Sequence, residues 1–434
     1  MQKFLRSSAV GLTLLLVLAA CQGNNAPGGG STSGSGAGGG SKGTVKIGVD
    51  LPLSGNEVAN GQPTFNGIKL AVDEANKNGG AGGYKIEINK QDDAVNGVHN
   101  PDQGATNAKT LVADPAVVGM VGPFNSNVAR SIIPVTNEAG LAECSPSNTA
   151  VDLTKTGSDK LRPQNPDKRN YFRLAAPDDI QGPAMAAFDY NDLGKKNAYI
   201  LDDTEAFGKG VADEFQKAFV KLGGKVAKRD GQKYSASVDY TSLFNSVKSL
   251  NPDVVYFGGT QVTGGGLARK QMVQAGMGAI PFTGPDGIAD LGTGGSQGAF
   301  ITLAGVDNSH DVYGTVAGVH DLPSGSDFSS RYKAAFQNDP GAYSAIAYAC
   351  TQVLLKAISD SAASASDMKS LREAVRAYVF DASKTYDTAL GKISFTSTGD
   401  IKQAFISFYK VDPSLNGGKG GWTFVKQQAF EGGQ

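Results

Sequence analysis

The stretch GPFNSNVARSIIPVTNEAGLAECSPSNT, residues 122–149, decides the fold and contains a first candidate site. It follows the apolar run Val117–Val121, which is typical of a buried strand, and a Gly-Pro pair ends that run. A helix capped by Ser126 or Asn127 is predicted to come next. The free N–H groups and the positive dipole end of such a helix favour an anion, so this loop predicts a site for a carboxylate.

A second polar loop follows the next predicted strand. That strand covers Leu141–Cys144, and it ends in Ser-Pro-Ser-Asn-Thr, residues 145–149. In an open α/β sheet, ligands bind at the carboxyl ends of neighbouring strands. We therefore expect the two loops to lie side by side at one edge of a sheet.

The remainder of residues 44–411 alternates between strand and helix patterns. Apolar residues recur at every second position in predicted strands and at helical spacing in predicted helices. Such alternation predicts an α/β protein with two largely parallel sheets and right-handed crossovers. The predicted strands are 45–51, 84–88, 117–121, 141–144, 198–201, 254–257, 280–283 and 404–411, with a hairpin-like segment at 392–401. The predicted helices are 65–75, 103–112, 127–139, 211–222, 243–250, 265–275, 328–337, 344–359 and 367–378, and residues 151–170 are predicted to be an irregular surface loop.

The first 20 residues have the pattern of a targeting segment. Lys3 and Arg6 precede an apolar run, 9–20, and Leu-Ala-Ala-Cys at 18–21 has the form of a bacterial lipobox. This predicts a lipoprotein signal peptide, 1–20, and a lipidated Cys21. The alternative is an ordinary secretory signal followed by a chance cysteine. The apolar run is shorter than the ~20 residues of a membrane-spanning helix.

Residues 22–43 are almost entirely Gly, Ser, Asn and Ala, a composition that predicts a flexible tether. Together with Cys21, the segment 21–43 would hold the folded body roughly 25 Å from the membrane. The predicted location is the cell envelope, with the protein anchored by lipid on the periplasmic or extracytoplasmic side.

The composition excludes some classes of function. The 40 basic and 41 acidic residues give a formal net charge of −1, so no basic surplus favours nucleic acid. Apart from Cys21, the cysteines are Cys144 and Cys350, which we predict to be small buried apolar residues. No metal-ligand spacing is present, and no cofactor is expected.

Several short motifs, in a fixed order, resemble one known family. The body resembles the type I periplasmic binding proteins, and among them the leucine/isoleucine/valine-binding proteins of ABC importers. The resemblance covers about residues 44–411. The matching pieces are 52–55, 65–67, 92–93, 122–126, 147–149, 181–183, 202 with 207–208, 256–259 and 284–287.

The resemblance implies a fold of two α/β lobes that close on a ligand, often called a Venus flytrap. It places three crossings between the lobes near Pro177, His320 and Ala404. Lobe one would then be 44–177 plus 321–403, and lobe two 178–320 plus 404–434. The implied ligand is an L-amino acid, with branched-chain amino acids favoured, and the implied partners are an ABC permease and its ATPase.

The resemblance also assigns residues to the α-carboxylate and α-ammonium of that ligand. Ser126 and Thr149 would hold the carboxylate, while Ser147 and Thr149 would also bind the ammonium. Asn148 lies in the same loop. Asp286, from the other lobe, would complete the ammonium site. The family usually has Glu at this position, so the shorter Asp286 requires a different loop or a bridging water.

Three further positions match those that face the ligand side chain, namely Asn60, Phe207 and Thr260. Because Asn60 and Thr260 stand where aromatic residues are common, a polar amino acid or a small amide is a rival ligand. The paired cysteines that some relatives carry in lobe one are replaced here by Val95 and Asn125. No disulfide is therefore expected at those two positions.

Other interpretations of these residues stay open. Ser126 could only cap its helix, Ser147 and Thr149 could be turn residues, and Asp286 could be a solvated turn carboxylate. A glycine-rich run at 258–266 lacks the Gly-Lys-Ser/Thr ending of a phosphate loop. An enzyme on this fold is the weakest alternative, because no histidine stands beside a nucleophile and no catalytic residue is predicted. A ligand-sensing receptor of the same fold stays open beside transport.

Overall fold

The computed structural model of the chain describes residues 42–235 and 237–431. The predicted signal peptide, Cys21 and the tether up to residue 41 lie outside the described residues. Within the described ranges, no helix has both the length and the apolarity that crossing a membrane requires.

Sixteen strands form two large sheets and two short hairpins. Their bounds are β1 (Thr44–Leu51), β2 (Lys85–Asp92), β3 (Ala94–Val95), β4 (Val98–His99), β5 (Val117–Val121), β6 (Glu143–Ser145), β7 (Tyr171–Arg173), β8 (Asn197–Asp202), β9 (Lys225–Gly231), β10 (Val254–Gly258), β11 (Phe282–Gly284), β12 (Val312–Val316), β13 (Tyr386–Thr388), β14 (Gly391–Ile393), β15 (Gln403–Asp412) and β16 (Gly421–Glu431).

Helices connect most of the parallel strands. They are α1 (Val58–Lys77), α2 (Pro101–Ala113), α3 (Ser126–Glu138), α4 (Asp178–Ala187), α5 (Ala206–Lys221), α6 (Tyr240–Val247), α7 (Gly266–Met272), α8 (Phe300–Ala304), α9 (Phe328–Phe336), α10 (Ser344–Ser361) and α11 (Met368–Val379).

Sheet one has the order β2-β1-β5-β6-β7, and all its pairs are parallel. Helices cover both of its faces, which explains why β5 is apolar throughout. Val117 and Met120 pack in a cluster with α2 and α3, while Val118 packs in a cluster with α1 and α10. All three side chains are fully buried.

Sheet two has the order β16-β15-β12-β11-β10-β8-β9. Strands β9 to β12 pair in parallel, whereas β15 and β16 run antiparallel at one edge. The carboxyl ends of β8, β10 and β11 therefore meet at one edge of this sheet, as those of β1, β5 and β6 do in sheet one.

Several elements differ from their prediction. Strands β9 and β16 are edge strands whose charged and polar residues hide the strand pattern, and the sequence analysis missed both. Strands β7 and β12, of three and five residues, were also not predicted. The predicted hairpin-like segment at 392–401 does turn back on itself, with an antiparallel bridge between Phe395 and Ile401, and a hairpin that was not predicted precedes it at 386–393.

The segment 151–170 is largely irregular, as predicted, but only part of it lies at the surface. It contains two short 3-10 turns, at 151–153 and 158–161, and packs against the protein. Thr154, Ser158 and Arg162 are buried in it. The many charged and turn-forming residues of this segment concealed the buried positions.

The prediction for the two body cysteines is wrong in one respect. Cys144 and Cys350 are buried as expected, but they form a disulfide with their Cα atoms 5.8 Å apart. The bond joins β6 to α10 across 206 residues of sequence. Closing so long a loop stabilises a fold by up to about 5 kcal/mol in the chain-entropy model. The sequence alone could not predict this pairing. Cys144 lies in a strand and Cys350 in a distant helix, and the two residues meet only in the folded protein.

Candidate functional site

A cavity lies between the carboxyl edges of the two sheets. Its empty space is about 380 Å³, counting the part that opens to solvent. It is lined by His99, Phe124, Asn125, Ser126, Asn127, Ser147, Thr149, Glu205, Phe207, Thr260, Asp286, Gly287 and Tyr343.

The structure brings six of the sequence-predicted residues together at this cavity. They follow strands of both sheets, as the rule for open α/β sheets predicts. These six are Ser126, Ser147 and Thr149 from the sheet-one side and Phe207, Thr260 and Asp286 from the sheet-two side.

Asn60 and Asn148 are not among the lining residues. Asn60 lies in the first turn of α1, where its carbonyl accepts a hydrogen bond from Thr64 at 2.7 Å. Asn148 is buried beneath the loop. Its amide donates to the carbonyl of Phe124 at 2.7 Å and accepts from the Tyr171 hydroxyl at 3.2 Å. Asn148 therefore holds the two loops together.

Ser126 does not cap its helix as predicted. Helix α3 begins at Ser126 itself, so Asn125 is the N-cap residue, and no side chain makes a capping hydrogen bond there. Instead, the Ser126 hydroxyl oxygen accepts hydrogen bonds from the backbone N–H groups of Thr149 and Ala150, both at 3.3 Å. The hydroxyl thus ties the second loop to the start of α3 and keeps its own proton free to donate.

A glycine at the end of β5 allows this strand and the loop after it to lie close to β1. Gly122 has φ +121°, and a Cβ atom there would lie 2.2 Å from the carbonyl oxygen of Asp50. A larger residue would push β5 away from β1 and displace the loop that follows.

Two oxygen atoms on opposite sides of the cavity have no protein partner among the described residues. One is Thr149 Oγ1 on the sheet-one side, and the other is Asp286 Oδ1 on the sheet-two side. Both residues are buried. An unpaired buried polar atom costs about 1–3 kcal/mol, so such atoms point to a ligand that pairs with them.

Asp286 is held in place by two neighbours. Its Oδ2 accepts a hydrogen bond from the Tyr343 hydroxyl, and its backbone N–H donates to Gln181 at 2.9 Å. Burial raises the pKa of Asp286 to about 6, although Tyr343 and Gln181 act in the opposite direction. The carboxylate is therefore poised to ionise near neutral pH or to pair with a buried cation.

A buried ion pair fixes the loop that carries Thr149. Arg173, at the end of β7, donates from Nε to Asp400 at 2.7 Å, and both side chains are almost fully buried. Its Nη1 donates to the carbonyl of Ala150 at 2.7 Å, and its Nη2 donates to the Thr154 hydroxyl at 2.7 Å. Burial alone would raise the pKa of Asp400, but Arg173 outweighs it and holds the pKa below its ordinary value.

Sequence analysis missed a second polar group at the cavity. His99, on the β3–β4 hairpin, lies between two carboxylates, with Nδ1 2.7 Å from Glu57 and Nε2 3.0 Å from Glu205. Burial alone would lower the pKa of His99, but the two carboxylates outweigh it and raise the pKa well above its ordinary value. The only signal in the sequence was the departure from the family at Val95, three residues before the start of β4.

Among the described residues, at least four hydrogen bonds cross the cleft between the two sheets. Two of them are the Tyr343–Asp286 and His99–Glu205 contacts described above. Asn127 Nδ2 also donates to Glu205 at 3.1 Å, and Gln297 Nε2 donates to the carbonyl of Gly55 at 3.0 Å. The cleft is therefore closed in this structure, with polar contacts at both rims.

Nothing in the described part of the chain suggests metal chemistry. Among those residues, no group of three or more His, Cys, Asp or Glu side chains is arranged to hold a metal ion. The site offers hydroxyls, carboxylates, amides and aromatic rings, a set suited to binding.

Comparisons with known proteins agree with this geometry. The family model described as periplasmic binding protein matches residues 44–419. The Leu/Ile/Val-binding protein BraC3 of Rhizobium johnstonii is 32% identical over 84% of this chain and 91% of its own length. A leucine-, isoleucine-, valine-, threonine-, and alanine-binding protein of Pseudomonas aeruginosa is 28% identical, covering 85% of this chain and 90% of its own. The crystal structure of a leucine-binding protein from Thermotoga maritima has a TM-score of 0.71 at 25% identity, covering 88% of this chain and 98% of its own.

We expect pH to control the binding of any ligand whose cation pairs with Asp286. Below pH about 6 a proton competes for this carboxylate, so affinity should fall about tenfold per pH unit. Isothermal titration calorimetry from about pH 5 to pH 8 measures the slope.

The variant Asp286→Asn is the control for this slope. It should bind about 100-fold or more weakly at pH 8, because the ligand cation loses its buried partner. Its melting temperature without ligand should fall less between about pH 5 and pH 8 than that of the wild type, because ionising a carboxylate with a raised pKa destabilises the folded state as the pH rises through that pKa. A variant that keeps the wild-type slope would contradict the role of Asp286.

Proposed function

Because the chain belongs to the periplasmic binding protein family, we propose that it captures an L-amino acid in the cleft and delivers it to an ABC permease. The relatives reported above are binding proteins, and the chain is not an enzyme. The observation that carries the proposal is the pair of buried, unpaired oxygens on opposite sides of the cavity, Thr149 Oγ1 and Asp286 Oδ1.

The carboxylate of the ligand would bind on the sheet-one side. The start of α3 offers N–H groups that have no partner within the helix, and the helix dipole adds about 0.3–1 kcal/mol for an anion. Ser126 can donate its hydroxyl proton there, because its oxygen accepts from two backbone N–H groups. Thr149 supplies a second hydroxyl beside it.

The ammonium of the ligand would bind between the sheets. Asp286 supplies the charge, and the Thr149 hydroxyl can accept a hydrogen bond from the same ammonium. Ser147 donates its own hydroxyl proton to the carbonyl of Phe124 at 2.8 Å, so it contributes an acceptor oxygen and its backbone carbonyl. The shorter Asp286 reaches its place because Gln181 and Tyr343 hold it.

Ligand capture would couple to closure of the cleft. The proposed lobes are 44–177 plus 321–403 and 178–320 plus 404–434, with crossings near Pro177, His320 and Ala404. Asp286 and Glu205 lie on one side of the cleft, and their partners Tyr343 and His99 lie on the other. A ligand that pairs with both sides stabilises the closed state by its differential affinity for it.

Two features support a location outside the cytoplasm. The lipobox before Cys21 and the tether that follows suit a lipid-anchored protein of the cell envelope. The Cys144–Cys350 disulfide suits an oxidising compartment. Transport is the proposed role because the relatives include proteins named for amino-acid binding, while a sensing receptor of the same fold is the alternative.

Amino acids should raise the melting temperature of the protein in a thermal-shift panel. A ligand at ~1,000 times its dissociation constant adds ~4 kcal/mol of stability. Leucine, isoleucine and valine are the reference ligands, since relatives are named for them. If only a solute that is not an α-amino acid raises the melting temperature, the roles of Ser126, Thr149 and Asp286 are withdrawn.

Replacing Cys21 by Ser should release the protein from the membrane fraction. The substitution removes the sulfur that would carry the lipid while leaving the rest of the signal peptide intact. Cell fractionation with immunoblotting measures the change, and Cys144→Ser serves as the matched control that should stay membrane-bound. Unchanged membrane association of the Cys21→Ser protein would contradict the lipid anchor.

A further inference from the structure

Two polar side chains that line the cavity have oxygen atoms with no hydrogen-bond partner in the described part of the chain. They are Asn125 and Glu205, and neither belongs to the proposed carboxylate and ammonium sites. Each comes from a different sheet: Asn125 follows β5, and Glu205 follows β8. The cavity therefore has hydrogen-bonding capacity beyond what the ligand backbone would use.

The Asn125 amide is buried but does not cap the helix that it precedes. Asn125 is the N-cap residue of α3, and its backbone carbonyl accepts from the N–H of Ala129 at 3.0 Å. An asparagine at this position ordinarily accepts a hydrogen bond from the first turn, but here its side chain makes none. Its Oδ1 is buried and unpaired, and the residue is only 8% exposed.

The Glu205 carboxylate is held by one oxygen only. Its Oε2 interacts with both His99 Nε2 at 3.0 Å and Asn127 Nδ2 at 3.1 Å. No described residue hydrogen-bonds to Oε1. Because His99 is in turn fixed by Glu57, the Glu205 carboxylate is held in one orientation when the cleft is closed.

Thr260, a polar residue assigned to the ligand side chain by family resemblance, is already engaged. Its Oγ1 accepts from the N–H of Thr263 at 3.1 Å and lies 2.9 Å from the Thr263 hydroxyl, which donates to Asp203. The methyl group of Thr260 is thus its contribution to the cavity. This leaves Asn125 and Glu205 as the polar groups available to a ligand side chain.

We propose, building on the amino-acid binding function above, that Asn125 and Glu205 select ligands whose side chain donates a hydrogen bond. A hydroxyl or a carboxamide meets this requirement. An aliphatic side chain of the same shape would leave the buried Asn125 Oδ1 without a partner and would gain no hydrogen bond from Glu205. Rotation of the Asn125 amide about its last bond exchanges its donor and acceptor, but the Glu205 carboxylate can only accept. The same carboxylate opposes aspartate and glutamate as ligands. This inference departs from the branched-chain preference that family resemblance implies.

Isosteric pairs of amino acids test this directly. Threonine and valine have nearly the same shape, as do asparagine and leucine, and each pair differs in the side-chain donor. Calorimetric titration of the full-length protein should show each donor-bearing member binding roughly ten- to hundredfold more tightly than its partner. Aspartate should bind more weakly than asparagine.

The variant Asn125→Leu should remove most of this discrimination. The substitution keeps the size of the side chain and removes no capping hydrogen bond, so α3 should begin as before. The ratio of leucine to asparagine affinity should rise roughly tenfold or more relative to wild type. The matched control is Asn191→Leu at an exposed site, which should keep the wild-type ratio.

Valine and leucine binding as tightly as threonine and asparagine to wild type would overturn this inference while leaving the amino-acid binding function in place. That comparison uses wild type alone, so it stands even if Asn125→Leu does not fold. If none of the amino acids binds, the proposed function fails, and this inference fails with it.

Discussion

The buried ion pair between Arg173 and Asp400 is the interaction on which the site depends. It joins three distant parts of the chain: the end of β7, the loop that carries Thr149, and the segment that leads into β15. Removing one partner of such a pair costs about 3–5 kcal/mol, because the other charge is left buried. Since the Arg173 guanidinium also binds the carbonyl of Ala150, the ion pair positions the ligand loop directly. The Cys144–Cys350 disulfide fixes the strand just before that loop to the helix just after Tyr343, so the sheet-one wall of the cavity is anchored twice.

With this frame rigid, the cavity can hold groups that are unfavourable without a ligand. Asp286 has a raised pKa because it is buried, and Thr149 keeps an unpaired hydroxyl. Asn125 adds an unpaired amide. Each of these groups lowers the stability of the empty protein and gains a partner when a ligand binds. These groups therefore make the empty protein less stable and can strengthen ligand binding, as expected of a protein whose function is to bind a ligand.

Much of the fold was predictable from the sequence. The apolar run at 117–121 and the polar loops after it correctly predicted two neighbouring strands whose loops lie side by side, because periodicity and strand-end chemistry are local signals. The edge strands β9 and β16 were missed, since their solvated residues carry no such signal. The pairing of Cys144 with Cys350 depends on contacts across 206 residues and could not be derived from spacing.

At the site, family resemblance pointed to Ser126, Thr149 and Asp286, which do line the cavity, but the hairpin that brings His99 to Glu205 has no counterpart in the motifs that carried the resemblance.

The central claim is that the cleft closes around an amino acid and opens without it. Small-angle X-ray scattering of residues 42–431, with and without a saturating ligand identified by thermal shift, measures this most directly. The account predicts that the ligand-saturated curve of a tether-free sample (residues 42–431) matches this closed structure, while the ligand-free sample has a larger radius of gyration. Identical radii of gyration in the two states, with binding shown by calorimetry on the same samples, would contradict closure as the mechanism.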